Sequence, residues 1–403
     1  MAQQYLGPTL GVVTFSTWPQ LVEAAEGGLL EESGWCELKE MATRPGSNKK
    51  DANLEMARDL ASLSVDGGIL IYGVRDKDLA VVGCDTTGLA DRIAQVSAIR
   101  IKPPLSPAIL PPLENPDDDS LAVLIVQVPP SPLAPHMVDQ SYWGRSSNGK
   151  RKLEDAEVRR LLLQRDRGED AFRTRLIALE DHDPLVGHIQ DHPTGNGHVY
   201  LVAEPTAPVA RDDGLQEWGR MRDALRPGRS RRWRTVADCT RHSPHPAGEA
   251  YATVETNAEP QAARYERHLC HVLIQDDGSI EVVSGGGTEE RESQDGTFYK
   301  YLDVRLVSTL TVQTLQMVEG WSKAWGYTGT WRVGLRVTNT FGAVRTTHDW
   351  LYGCPPAFKA DEYVATTVMQ GIGDASLDLA QPLLKGLYRG LGMVDYPINE
   401  IVN

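Results

Sequence analysis

The 403-residue chain has no apolar run approaching the ~18–20 residues that a membrane-spanning helix requires. The segment from Met1 to Gly11 has neither a basic start nor a compact apolar stretch, so no secretory signal is expected and the cytoplasm is the expected location. Only five cysteines are present, at 36, 84, 239, 270 and 354, and no two stand in a CxxC spacing. That excludes a disulfide framework or a zinc ribbon as the organising element. Gly285-Gly286-Gly287 lacks the following Lys of a phosphate-binding loop, and no helix-turn-helix is evident. Positive charge is scarce overall. With 41 Lys and Arg against 55 Asp and Glu, the net charge is −14, and any phosphate-binding surface must be local.

What is present is ordinary globular composition, 41% hydrophobic and 24% charged, at a length that suggests two or three domains. Thr17 and Gln20 bracket Pro19 in the pattern of a capping box, predicting a helix to Glu26 that Gly27-Gly28 ends. Cys36–Lys39 reads as a short strand. Asp51–Ser64 has apolar residues at helical spacing, Ile69–Val74 is a buried strand, and Asp85–Ile99 a second helix. The Pro-rich stretch 102–116 is loop or edge strand, Leu121–Val128 a core strand, and Leu153–Gln164 an amphipathic helix. The mixture lacks strict βαβ alternation, which is an α+β pattern. Composition changes near 166–190. Beyond it, strands are expected at His198–Ala203 and Trp331–Val337, a hairpin around Asp276-Asp277-Gly278, and helices at Gly214–Leu225, Leu302–Gly326 and Ala375–Tyr388. The expected organisation is a lead-in at 1–30, a first domain at 31–165, a linker helix at 166–190, and a second α+β domain at 191–403.

Three acids stand where rigid backbone could present them. In a strand, Glu37 and Lys39 share one face while Leu38 takes the other. Glu32 lies just before that strand, and Asp76 follows the buried strand ending at Val74. Three carboxylates at strand ends suit Mg²⁺ or Mn²⁺, hard ions that prefer oxygen. From spacing alone, a charged strand end is usually a solvated face.

The order of motifs adds to this. Glu32-Ser33-Gly34-Trp35-Cys36-Glu37-Leu38-Lys39 resembles the Glu-Ser…Glu-Φ-Lys run of the Schlafen family, Φ being apolar or aromatic. Ser64-Val65-Asp66-Gly67-Gly68, continuing to Gly73-Val74-Arg75-Asp76, is similar to that family's Asn-Thr-x-Gly-Gly segment and its strand. Val81-Val82-Gly83, then Pro135-His136 with Tyr142 and Arg145, resemble further elements of its AlbA_2 domains. The resemblance implies a mixed sheet with flanking helices. It implies too that Glu32, Glu37 and Asp76 are the metal-binding and catalytic acids of an endoribonuclease, with Lys39 as the accompanying cation. Structured RNA such as tRNA is the implied substrate, and phage defence a role by analogy. The rival reading is a non-catalytic DNA-binding regulator. Departures are Ser64 for Asn, Val65 for Thr, an extra residue between Tyr142 and Arg145, and Arg75 for the first Asp of the usual pair. Arg75 could hold phosphate or pair with Asp76. One lobe is visible where animal members have two, so the resemblance implies that a comparable cleft needs a homodimer or help from the C-terminal half.

Two basic segments are candidate nucleic-acid contacts. Between residues 145 and 175, ten basic residues face six acidic ones, with Arg145, Lys150, Arg151 and Lys152 expected in a loop before the helix. Arg226–Arg234 has five arginines and Trp233 without an acid, so Arg229, Arg231, Arg232, Trp233 and Arg234 suit phosphate and an unpaired base. His242, His245, His268 and His271, near Cys239 and Cys270, follow no zinc-finger pattern. Trp218, Trp321, Trp325 and Trp331 are expected in the core.

Overall fold

A computed structural model describes residues 4–43, 46, 48–146, 149–185, 196–207, 269–275, 277–292, 296, 298–345, 356–370 and 376–393. It also describes the backbone of strands at 245–247 and 250–256. The fold is α+β. The chain packs into two units, Met1–Glu169 with Trp325–Thr330, and Asp170–Ala324 with Trp331–Asn403.

The first unit opens with the small strands β1 (Gln4–Tyr5) and β2 (Val12–Val13) and helix α1 (Trp18–Glu26). The Thr17 side chain makes no cap; instead Gln20 Oε1 accepts the Ser16 N–H at 2.9 Å. The central sheet has the order β3 (Cys36–Lys39), β4 (Gly68–Tyr72), β7 (Asp118–Val128), β5 (Ala108–Ile109), with β6 (Leu113–Asn115) also on β7. The Pro-rich stretch therefore supplies two short edge strands, as its missing N–H groups allow. β3 and β4 are parallel, joined by helix α2 (Lys49–Leu63), and β7 runs antiparallel to β4. Asn48 caps α2, its Oδ1 accepting the Asp51 N–H at 2.8 Å. Helix α3 (Leu89–Arg100) starts later than the sequence suggests because Asp85 forms a turn, accepting the Thr87 N–H.

Strand alternation divides the core. Cys36, Leu38, Ile69 and Ile71 face α1, while Leu70 and Tyr72 face α2 and α3. In register Glu37 lies beside Leu70 and Lys39 beside Tyr72, which puts both charged residues on the α2 face. The close pairing of the two strands depends on Gly68. Its φ is +151°, and a Cβ there would lie 2.3 Å from the Trp35 carbonyl oxygen.

Strands β8 (Met137–Val138), β9 (Ser141–Ser146) and β10 (Gly149–Lys152) form a three-stranded antiparallel sheet packed on α2. The basic residues expected in a loop are thus in a hairpin, and their neighbours are fixed by cross-strand pairing. Helix α4 (Asp155–Ala178) follows as one continuous helix, and the boundary between the units falls inside it.

The second unit is built on a nine-stranded sheet with the order β12 (His245–Ala247), β13 (Ala250–Thr256), β14 (Leu269–Ile274), β15 (Ile280–Glu292), β11 (Gly197–Pro205), β17 (Thr330–Val337), β19 (Tyr363–Gln370). β16 (Phe298–Leu302) lies on β15, and β18 (Val344–Arg345) lies parallel to β16. The expected hairpin is β14–β15, with Ile274 opposite Ile280. Helix α5 (Val304–Trp325) carries Trp321, packed edge-on against Trp331 at 5.4 Å; these and Trp325 are buried. Helix α6 (Ser376–Gly390) follows. Gly285–Gly287 lie within β15, and Gly287 passes close to Gly197, since a Cβ would meet its oxygen at 2.8 Å. His271 is buried in β14. Trp218, Cys239, His242, His268, the expected helix Gly214–Leu225 and the basic run Arg226–Arg234 lie outside the described residues.

Candidate functional site

β3 begins just after Glu32, and the chain turns so that the Glu32 carboxylate accepts the Leu38 N–H at 3.2 Å. Glu37 is buried on the α2 face, with 7% of its side chain exposed. Its Oε1 pairs with Lys39 Nζ, and its Oε2 lies 2.7 Å from Arg145 Nη1. The latter is a charge contact rather than an aligned hydrogen bond. Burial pushes the Glu37 carboxyl up, but Lys39 and Arg145 more than offset this and leave it below the usual range. Asp76 is exposed in the loop after β4, whose start is held by the Gly73 N–H donating to the Lys39 carbonyl at 2.7 Å. Arg75 turns away from Asp76, pairing with Asp78 at 2.9 Å and Glu40 at 3.6 Å.

The three sequence-derived acids thus fall in one neighbourhood. Glu32 is held above its ordinary value by partial burial, then by the nearby carboxylates of Glu37 and Asp76. Among the described residues, however, no three His, Cys, Asp or Glu side chains are gathered as a ready metal-ligand set. An all-oxygen donor set still suits a hard divalent ion, and like charges crowded on Glu32 are what such an ion relieves. Glu32 and Asp76 are both at the surface.

The hairpin supplies the cations. Lys150 stands directly opposite Arg145, so both point from one face of β9–β10 toward α2 and the end of β3. Arg145 has only 3% of its side chain exposed. Its Nη2 also donates to the Ser33 carbonyl at 2.8 Å and the Cys36 carbonyl at 3.3 Å, tying the hairpin to the acid-bearing turn. Lys150 Nζ pairs with Asp59 at 2.6 Å and Glu55 at 2.8 Å. Arg151 pairs with Glu157, and Lys152 lies 5.9 Å from the Trp143 ring, which Arg58 covers at 4.9 Å.

Asp59 is the residue that sequence reasoning passed over. It is buried, 2.6 Å from Lys150 and 3.8 Å from Lys39, and burial raises its pKa despite both ammonium groups. Charges therefore alternate along Arg145, Glu37, Lys39, Asp59, Lys150, Glu55 and Arg58. The available signal was Asp51, Glu55 and Asp59, four residues apart and so on one helix face. A cavity of about 340 Å³ opens along that face and includes Lys39, Asp59 and Lys150 in its lining.

His136 is a structural pin. Its buried ring bonds the Pro103 carbonyl and the Ser131 hydroxyl, each at 2.7 Å, and burial lowers its pKa.

The profile of the family described as Schlafen, AlbA_2 matches residues 32–154, the stretch that contains every element of this site. Residues 32–154 form a Schlafen AlbA_2 domain. No curated protein matches the chain. Among solved structures, the crystal structure of the DIP2311 protein from Corynebacterium diphtheriae is similar over 34% of this chain at 20% identity, with a TM-score of 0.24. The match spans 27% of that chain. The AlbA_2 domain thus has its acids on β3 and the β4 loop and its cations on β3 and the β9–β10 hairpin. In the described residues no helix is long and apolar enough to cross a membrane.

Proposed function

We propose that the AlbA_2 domain is a metal-dependent endoribonuclease acting on structured RNA such as tRNA. The observation that carries this reading is the neighbourhood of Glu32 before β3, Glu37 within β3 and Asp76 in the loop after β4, near enough for Glu37 and Asp76 to raise the Glu32 pKa. Perturbed carboxylates clustered at strand ends are a mark of reactive sites. Glu32, Glu37 and Asp76 would hold Mg²⁺ or Mn²⁺, which supplies polarisation of a phosphate and a bound water of lowered pKa. Lys39 Nζ, partly exposed beside Glu37, would donate to a phosphate oxygen and offset its charge. Arg145 keeps the Glu37 carboxylate ionised and aimed. Arg151 and Lys152, with Arg229, Arg231, Arg232, Trp233 and Arg234, contribute contacts to the RNA backbone and unpaired bases. A ribonuclease of this kind, restrained until triggered, would serve phage defence.

A second reading, a non-catalytic DNA-binding module, is favoured by one observation: Glu37 is already neutralised by Lys39 and Arg145. Cleavage of total tRNA, rRNA and single-stranded DNA with Mn²⁺, Mg²⁺ or EDTA separates the two. Asp76→Asn is the variant of choice because Asp76 is exposed and no ion pair involves it among the described residues. Discrete RNA fragments that disappear with EDTA and with Asp76→Asn are expected. Intact RNA under every metal, with nucleic-acid binding retained by both proteins, leaves the binding module.

A further inference from the structure

We infer that the cavity beside α2 is a pocket for an unpaired base with an imide edge, that is, uracil or thymine. The inference rests on the proposed nucleic-acid role of this domain and names the base it selects. At about 340 Å³ the cavity is far larger than a trapped water needs and falls within the range of small-ligand pockets.

Its chemistry is ordered from floor to mouth. The floor is Asp59, a buried carboxylate with Lys150 at 2.6 Å on one oxygen and Lys39 at 3.8 Å on the other. That is an acceptor between two donors. The imide edge of uracil is its complement, a ring N–H donor between two carbonyl acceptors. Cytosine presents an amino group where one of those carbonyls stands, which sets a donor against an ammonium and leaves the carboxylate facing a ring nitrogen without a proton. The walls are apolar, from Met41, Ala42, Ala52, Met56 and Tyr72, as suits the faces of a flat ring. At the mouth are Asp51 and Glu55, exposed acceptors two and one helical turns before Asp59 and placed for sugar hydroxyls, with Glu55 also paired to Lys150 and Arg58. Lys39 belongs both to this floor and to the acid cluster, so a base seated here engages the side chain that pairs with Glu37.

The test is equilibrium binding of uridine, thymidine, cytidine and inorganic phosphate to the intact protein in EDTA, where no cleavage competes. Uridine and thymidine are expected to bind and cytidine to bind at least about tenfold more weakly, with phosphate unable to displace uridine. A uridine preference over thymidine would assign the 2′-hydroxyl to Asp51 or Glu55 and point to RNA; equal affinity would assign recognition to the base alone. Ala52→Phe, which fills the cavity without touching an ion pair, is expected to abolish uridine binding. The unmutated protein gives an independent reading: uridine should slow acylation of Lys39 and Lys150 severalfold while leaving exposed Lys152 unchanged. No saturable uridine binding, equal affinity for cytidine, or full binding by a folded Ala52→Phe protein overturns the pocket. Metal-dependent cleavage alongside any of those outcomes would leave the nuclease standing alone, whereas uridine binding without cleavage would leave the pocket and remove the nuclease.

Discussion

Replacing Glu37 by Gln keeps the shape of the side chain and removes only its charge, so the variant isolates what the carboxylate does for the fold. The carboxylate is the sole acidic partner of Arg145 among the described residues, and the Arg145 side chain is only 3% exposed. Removing one member of a buried pair costs about 3–5 kcal/mol, because the other charge stays buried. The lower end applies here. Arg145 keeps two backbone carbonyls, and Lys39 keeps Asp59 at 3.8 Å and some exposure to water. A loss of about 3 kcal/mol, against a urea slope of about 1–3 kcal/mol per molar, lowers the unfolding midpoint of this unit by about 1–3 M. The pH dependence carries the sign. The Glu37 pKa is depressed by folding, so its contribution is fully present above the ordinary value of 4.5 and is lost as pH falls through the lower folded value. The gap between parent and variant should therefore be widest near neutrality and close in acid. The double variant Glu37→Gln, Arg145→Met should recover part of the loss, since no buried charge is then stranded. A parent-like midpoint for Glu37→Gln at neutral pH, or a gap independent of pH, would refute the assignment of Glu37 to a buried ion pair.

Four other expectations are open to direct measurement. Asp76→Asn should leave the unfolding free energy from urea titration within about 0.5 kcal/mol of the parent while lowering metal-dependent RNA cleavage by orders of magnitude; a proportionate loss of both would make Asp76 structural. Glu32, with its pKa raised, opposes folding once ionised, so Glu32→Gln should raise the melting temperature near neutrality and have no such effect well below pH 4.5, as calorimetry can show. Gly68→Ala should prevent the close β3–β4 approach, read as loss of the native circular-dichroism spectrum or a steep drop in soluble yield. His136→Ala removes two 2.7 Å hydrogen bonds and a buried ring, for a cost of about 2–4 kcal/mol by urea titration; an unchanged midpoint would show that the two loops need no pin.

Local physics is what the sequence by itself determined. Period-2 alternation put Glu37 and Lys39 on one face with Leu38 on the other, because a strand allows no other arrangement. Helical spacing located α2, and the ordered motifs from Glu32 to Arg145 marked the AlbA_2 domain. The Asp-Gly turn placed the β14–β15 hairpin of the second unit. What only the tertiary structure decided is which charges meet. Arg145 and Lys150 read as loop cations because Tyr142–Lys152 has no strong alternating pattern, yet hairpin pairing turns both onto the same face. Docking of that hairpin on α2 then carries Lys150 to Asp59, 91 residues away, and Arg145 to Glu37. Asp59 did not stand out as a site residue because an acidic stripe on a helix, here Asp51, Glu55 and Asp59, is normally solvated; only its burial between two lysines from different elements distinguishes it. Spacing along a chain reports the face a side chain takes within its own element, whereas its partners across the fold depend on how those elements pack.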